Sequence, residues 1–346
     1  YEKFGYTPYK MTKFEEYDLY VKNKNFLISD NIITFTDTSG KLMALKPDVT
    51  LSIIKNNRYN TNQLQKVYYN ENVYRVPKGT NSFKEILQIG IECLGQVDNY
   101  CLGEILSLAV KSLEKISEKS ILTVSDIEII SDLLDNCGIT PDIKAEIFKL
   151  ISEKNLHELN VLCKENNVQA ETFEVLKQLI LLHGKPDDIF KKLNELIPDN
   201  SEVNNFSQII NSLPANIREK IEIDFSITGD TKYYNGITFK GFIDNIPESV
   251  LSGGQYDRMM KKMKQNSKAV GFAIYLDMLE RLSESYNEYD VDTVIIYDEN
   301  ADLSKLNKAV DKISQSSSVL ALKEIPEKLK FRQLIKFNGE EAELYD

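Results

Sequence analysis

The sequence predicts an α+β protein: a sheet domain made of two separated halves, a mainly helical insertion between them, and a small C-terminal α/β unit. Three observations carry this. Strand-like segments recur in residues 31–95 and again in 221–243. Between them, from 113 to 217, the texture becomes helix after helix, punctuated by Gly138, Pro141, Gly184, Pro186, Pro198 and Pro214. A polar linker at 284–290 then gives way to a fresh apolar run, Val291-Asp-Thr-Val-Ile-Ile-Tyr297. At 346 residues the chain exceeds the usual size of one hydrophobic core, so two or three domains are expected. The predicted division is 1–112 with 218–285 as the sheet domain, 113–217 as the insertion, and 291–346 as the terminal unit.

Taken in order, residues 13–23 place Phe14, Tyr17, Leu19 and Val21 at a spacing that predicts a helix packed on a sheet. Residues 31–37 alternate like a strand, and Thr38-Ser-Gly40 turns the chain into an antiparallel partner at 42–45. Residues 65–75 are rich in Tyr and Val, 77–82 are dense in turn residues, and 86–94 form an apolar run, so together they predict a long-looped hairpin. A helix is expected over 101–116. Within the insertion, 142–152, 170–182 and 187–196 read as helices, while Ile121-Leu-Thr-Val124 does not. Alternation returns at 221–227 and 237–243. The glycines of Ser252-Gly253-Gly254 allow close approach of another strand or of a ligand. At about 55 residues, the terminal unit is near the lower limit for an independent core.

Composition narrows the function. A formal net charge of −11 argues against a broad polyanion-binding face. One local basic patch, Lys261, Lys262, Lys264 and Lys268, reads as a solvated helix end and loop. Cys93, Cys101, Cys137 and Cys163 contain no C-x-x-C pair, which fits reduced, buried thiols of a cytoplasmic chain. His157 and His183 are the only histidines and lie in helix-like segments, so neither a metal site nor Ser-His chemistry is supported, and no cofactor is expected. No run is long enough to span a bilayer, and no membrane association is expected. The chain begins at Tyr1 without a methionine, so a few native residues are expected before it.

The segment Ala269-Val-Gly-Phe-Ala-Ile-Tyr-Leu-Asp-Met-Leu-Glu-Arg-Leu282 is an apolar strand that passes through a glycine into a helix. Four other pieces accompany it: Leu45-Lys-Pro-Asp-Val-Thr50, Val73-Tyr-Arg-Val-Pro77 with Gln88-Ile-Gly-Ile-Glu92, Lys232-Tyr-Tyr-Asn-Gly-Ile-Thr-Phe239, and Gly253-Gly-Gln-Tyr-Asp257. Each alone is a weak pattern. In this order and spacing they resemble the catalytic domain of class II aminoacyl-tRNA synthetases, specifically the histidyl-tRNA synthetase family. The resemblance covers residues 1–112 and 218–285 and implies an antiparallel sheet flanked by helices.

By that resemblance, Asp48, Thr50 and Gln88 stand where the family holds the amino-acid ammonium, whose three donors need acceptors at fixed angles. Glu92 and Tyr234 match the pair that reads the imidazole, and Tyr233 the adjoining wall. Unaided by the resemblance, a Tyr pair in a chain with 18 tyrosines reads as packing, and Asp48 after Pro47 as a turn residue. Glu92 is harder to explain that way, because a carboxylate in an apolar run needs a partner. The catalytic half is depleted. Arg75 keeps the motif 2 arginine and is the residue left for a phosphate or anion contact. The family's histidine-specific arginine falls on Gly229 and its motif 3 arginine on Met278. Arg281 lies three residues further and reads as a helix-surface or ion-pair residue. Lys46 and Lys55 stand where synthetases favour arginine, Gln255 replaces another, and Lys13 takes the place of the motif 1 proline.

This combination is similar to the synthetase-like family of ATP phosphoribosyltransferase regulatory subunits, in which Asp is frequent at the position of Asp48. The resemblance implies a chain that catalyses nothing alone and binds no tRNA. It would form a homodimer within a hetero-oligomer with the short-form catalytic ATP phosphoribosyltransferase subunit, and histidine would be its ligand in feedback inhibition. Two rivals stand beside it. A divergent active histidyl-tRNA synthetase would show histidine-dependent pyrophosphate–ATP exchange at normal rates. A histidine-sensing module for another enzyme would leave the short-form transferase unaffected.

Overall fold

The computed structural model describes residues 1–23, 32–56, 63–76, 82–229, 233–279 and 289–338, and the backbone of 342–345. It divides into two compact units, Tyr1–Leu279 and Glu280–Asp346.

The first unit opens with β1 (Thr7–Pro8), β2 (Phe14–Glu16), α1 (Tyr17–Lys22), β3 (Thr34–Thr36), β4 (Leu42–Leu45) and α2 (Thr50–Asn56). Two long strands follow, β5 (Gln65–Arg75) and β6 (Lys84–Gly95), and then α3 (Asn99–Ile116) and β7 (Ser120–Asp126). A helical stretch runs through α4 (Ile127–Asp135), α5 (Pro141–Ser152), α6 (Leu156–Glu165), α7 (Ala170–Leu181), the short β8 (His183–Gly184), α8 (Pro186–Leu196), α9 (Ser201–Asn211) and α10 (Ala215–Arg218). The chain returns to sheet with β9 (Ile221–Asp224), β10 (Ile237–Ile243), β11 (Ile246–Gln255), α11 (Asp257–Lys262) and β12 (Lys268–Tyr275), and ends in a 3-10 turn, Leu276–Leu279.

Nine strands form one sheet in the order β1-β5-β6-β12-β11-β10-β7-β9-β8. The pairing of β12 with β6 joins the two sequence halves: Gly271 lies opposite Glu92, and Tyr275 opposite Gln88. Antiparallel pairing runs from β5 through β10 to β7, while β1 is parallel to β5 and β9 to β7. A separate three-stranded sheet has the order β2-β4-β3. Helix α3, capped by Asp98 on the Cys101 amide (2.9 Å), buries Leu106, Ala109, Val110 and Leu113. Gly241 of β10 leaves room for Leu113, since a Cβ there would sit 2.7 Å from its Cδ1. The core under β5, β6 and α2 gathers Leu51, Ile53, Ile54, Val67, Tyr69, Val73, Tyr256 and Met260.

Two segments differ from the sequence reading. Residues 13–23 begin as β2 and are helical only from Tyr17, because Phe14 and Glu16 pair with Leu45 and Met43 of β4. Strand β7 lies inside the sheet rather than in the helical insertion: it pairs with β10 along its whole length and with β9 on its other side. Helical continuity therefore starts at α4, not at 113. Beyond the 3-10 turn, Glu280 and Arg281 lie outside the described residues, as do the hairpin tip 77–81 and Asn31.

In the second unit, β13 (Val291–Tyr297), α12 (Leu303–Ser314), β14 (Val319–Leu322), β15 (Phe331–Phe337) and β16 (Ala342–Tyr345) make a sheet in the order β14-β13-β15-β16. Both neighbours of β13 are parallel to it, and β16 is antiparallel to β15. Ile295, Leu306, Ile335 and Phe337 form its small core.

Candidate ligand site

A cavity of about 940 Å³ opens on the large sheet, and all nine positions singled out from the sequence line it: Asp48, Thr50, Arg75, Gln88, Glu92, Gly229, Tyr233, Tyr234 and Met278. The topology explains why. Strands β5, β6 and β12 run side by side and bring Arg75, Gln88, Glu92 and the end of β12 together. The entry to α2 supplies Asp48 and Thr50. The segment before β10 supplies Gly229, Tyr233 and Tyr234.

Glu92 is the centre of the floor. It is 3% exposed, and each oxygen holds one donor: Thr50 Oγ1 donates to Oε1 at 2.7 Å, and the Tyr256 hydroxyl to Oε2 at 2.5 Å. Burial outweighs these two hydrogen bonds and pushes the carboxyl up to about 8, with Asp48 adding to the rise. Asp48 caps α2 by accepting from the Leu51 amide at 2.9 Å. Burial raises its carboxyl too, against the pull of that amide and of the Arg75 charge. Among the described residues neither carboxylate is ion-paired in the way Lys46 is paired with Glu71 or Lys66 with Glu104. Around them stand four tyrosines. The Tyr233 and Tyr234 ring centroids are 4.6 Å apart, and those of Tyr233 and Tyr256 5.9 Å. Burial raises these phenols and that of Tyr69 well above the ordinary value, so they remain neutral donors.

Gly271 shapes the floor. A Cβ there would overlap Glu92 Oε2 and the Ile91 carbonyl, so the strand-to-strand spacing and the position of Glu92 depend on the missing side chain. Gly271→Ala is expected to destabilise the unit by about 1–3 kcal/mol through overpacking. Thermal unfolding reads this as a lower melting temperature; an unchanged one would contradict the packing.

The groups that could meet phosphate are disposed differently. The Arg75 guanidinium is buried and lies 5.8 Å from the centroid of the Tyr275 ring, whose hydroxyl is fixed to Ser252 Oγ at 2.6 Å. Gly229 has φ +61°, and a Cβ there would sit 2.9 Å from Thr238 Oγ1 and 3.0 Å from Tyr234 Cδ2. That backbone favours glycine and leaves no room for an arginine stem. Met278 lines the cavity from the 3-10 turn. Other departures have structural partners: Gln255 Oε1 accepts from the Ile237 amide (2.8 Å), and Lys55 pairs with Glu15 (2.7 Å).

Several lining residues have no role in the sequence reading. Tyr69, Tyr256, Tyr275 and Ser252 belong to segments read there as strands or glycine-rich turns, and tyrosine is too common in this chain to single them out. One wall comes from α5, where Glu146, Lys149 and Ser152 recur at helical spacing. Among the described residues no group of three or more His, Cys, Asp or Glu side chains is arranged to hold a metal ion. No described helix is long and apolar enough to cross a membrane.

Comparison with known proteins identifies the fold and the family. A family model described as histidyl-tRNA synthetase matches residues 1–279. An ATP phosphoribosyltransferase regulatory subunit from Alkaliphilus metalliredigens is 27% identical over 289 residues, covering 81% of this chain and 73% of that protein. Among solved structures, an ATP phosphoribosyltransferase regulatory subunit/histidyl-tRNA synthetase from Bacillus halodurans C superposes with a TM-score of 0.75 at 20% identity, over 97% of this chain and 90% of that one. An ATP phosphoribosyl transferase (HisG:HisZ) complex from Thermotoga maritima gives a TM-score of 0.60 at 21% identity, over 79% and 92%. The fold is thus that of class II synthetases, and the chain belongs to the histidyl-tRNA synthetase family, among relatives named ATP phosphoribosyltransferase regulatory subunits.

Proposed function

We infer that this chain is the regulatory subunit of ATP phosphoribosyltransferase and that its cavity holds histidine without activating it. One observation carries the reading: Asp48 and Glu92 are two buried carboxyls, with no ion pair among the described residues, in the same cavity where the phosphate-handling positions are Gly229, Met278 and a ring-stacked Arg75. Burial disfavours the charged form of both carboxyls, and a cationic ligand would supply the partner that lets them ionise. Histidine supplies an ammonium for Asp48, Thr50 and Gln88, and an imidazole for Glu92 and Tyr234, with Tyr233 as the wall. The chain performs no reaction alone. It forms a homodimer and assembles with the short-form catalytic subunit in the cytoplasm. That partner joins ATP to phosphoribosyl pyrophosphate in the first step of histidine biosynthesis. Inhibition requires histidine to bind unequally to two states of the assembly, because equal affinity shifts nothing.

The test is reconstitution with the short-form transferase of the same organism. The chain is expected to raise transferase activity, and histidine to lower the activity of the assembly more than that of the catalytic subunit alone. No effect of the chain would overturn the reading.

A further inference from the structure

The cavity is much larger than the two-carboxylate floor requires, and its far wall belongs to the helical insertion. An amino acid placed on Asp48 and Glu92 also brings a carboxylate, and that charge needs a cation. Gly229 cannot carry one, for the steric and backbone reasons above. Three cations line the cavity: Arg75, Lys149 and Lys240. Arg75 is buried against the Tyr275 ring, and Lys240 already interacts within the protein. Lys149 projects from α5, is exposed, and makes no side-chain hydrogen bond or ion pair among the described residues. It shares its helix face with Ala145 and Ser152, which also border the cavity.

We propose that Lys149 takes the α-carboxylate of the bound amino acid, so that the ligand bridges the sheet floor and the helical insertion. This rests on the reading of the cavity as a histidine site. The ligand class it defines is a free, zwitterionic amino acid with a basic ring, as opposed to the same ring on an amine or an amide. The bridge has a route onward. Lys154, in the turn after α5, pairs with Asp224 Oδ2 at 3.1 Å, and Asp224 Oδ1 accepts from the Ser226 amide at 2.8 Å. Residues 226–229 line the cavity, so one carboxylate ties the end of α5 to the segment beside the ligand. Occupancy therefore loads both ends of that tie.

The experiment is calorimetric titration of the full chain with histidine and with histamine, which keeps the ring and ammonium but lacks the carboxylate. Lys149→Met is expected to weaken histidine binding about tenfold or more, as for a lost charged hydrogen bond. It should leave histamine affinity unchanged, and Lys149→Arg should retain most of the histidine affinity. Equal weakening of both ligands by Lys149→Met, or unchanged histidine affinity, would overturn the assignment while leaving the histidine site standing. If the parent chain binds neither ligand, the histidine reading itself fails, and the role of Lys149 with it.

Discussion

Glu92→Gln is expected to abolish measurable histidine binding while leaving the chain folded, and at alkaline pH the variant is expected to be more stable than the parent. The first half follows from the floor of the cavity. Removing the charge opposite a buried cation costs about 2–5 kcal/mol, which is roughly 30-fold or more in affinity. The second half follows from linkage. Glu92 titrates near 4.5 when unfolded and is pushed up to about 8 in the fold. A raised native value means that the fold favours the protonated form. Its stabilising contribution is fully present below about pH 4.5 and is lost as pH rises through about 8. Glutamine mimics the protonated form at every pH, so the stability gap opens above about pH 4.5 and is complete beyond about pH 8, on the order of a few kcal/mol. Melting curves at pH 5 and pH 9 check this, and a variant no more stable than the parent at pH 9 contradicts it.

The same carboxyl is expected to set the pH profile of histidine binding in the parent. Between the imidazole value of about 6.5 and about 8, Glu92 and the ring together carry one proton before and after association. Below that window binding must release a proton, and above it binding must take one up. Affinity is expected to be highest within the window and to fall on both sides.

Met278→Arg is expected not to restore adenylate formation. An arginine there would return one donor to the α-phosphate, but a second would still be missing at position 229. Each preorganised donor is worth on the order of 10²–10³ in rate, so two losses compound to roughly 10⁴ or more. The double variant Met278→Arg/Gly229→Arg fails for a separate reason. A side chain at φ +61° is strained by about 1–3 kcal/mol, and its Cβ presses on Thr238 and on Tyr234 in the ligand wall. Histidine-dependent pyrophosphate–ATP exchange should stay at background for both variants, with a lowered melting temperature for the double. Exchange at synthetase-like rates in the single variant would overturn the account of lost donors.

Much of the sheet was legible because its strands announce themselves locally. Residues 65–75 are rich in Tyr and Val and 237–243 alternate, and they form β5 and β10 with those bounds. Strand β7 was not, because its place is set by partners distant in sequence: Phe239 opposite Val124 and Ile221 opposite Leu122. A short, two-sidedly buried strand between helices carries no periodic signature of its own. Residues 14–16 were misread for a related reason, since pairing with β4 overrides a helix-like spacing. At the site, the order of the motifs was enough to name nine positions that the fold gathers around one cavity. The α5 wall was invisible, because which face of an insertion helix meets the sheet depends on tertiary packing. Tyr275, which occupies the face of Arg75, lies in the strand-to-helix segment 269–282 and reads there as one more apolar residue.

The proposed function rests on an asymmetry: the positions matched to histidine are kept, and those matched to phosphate are not, apart from Arg75. The most direct test is calorimetric titration of histidine into the isolated chain near pH 7.5, where Glu92 and the imidazole share one proton. Saturable binding below millimolar histidine, lost in Glu92→Gln, is expected. Absence of binding at millimolar histidine would contradict it and leave the cavity a remnant.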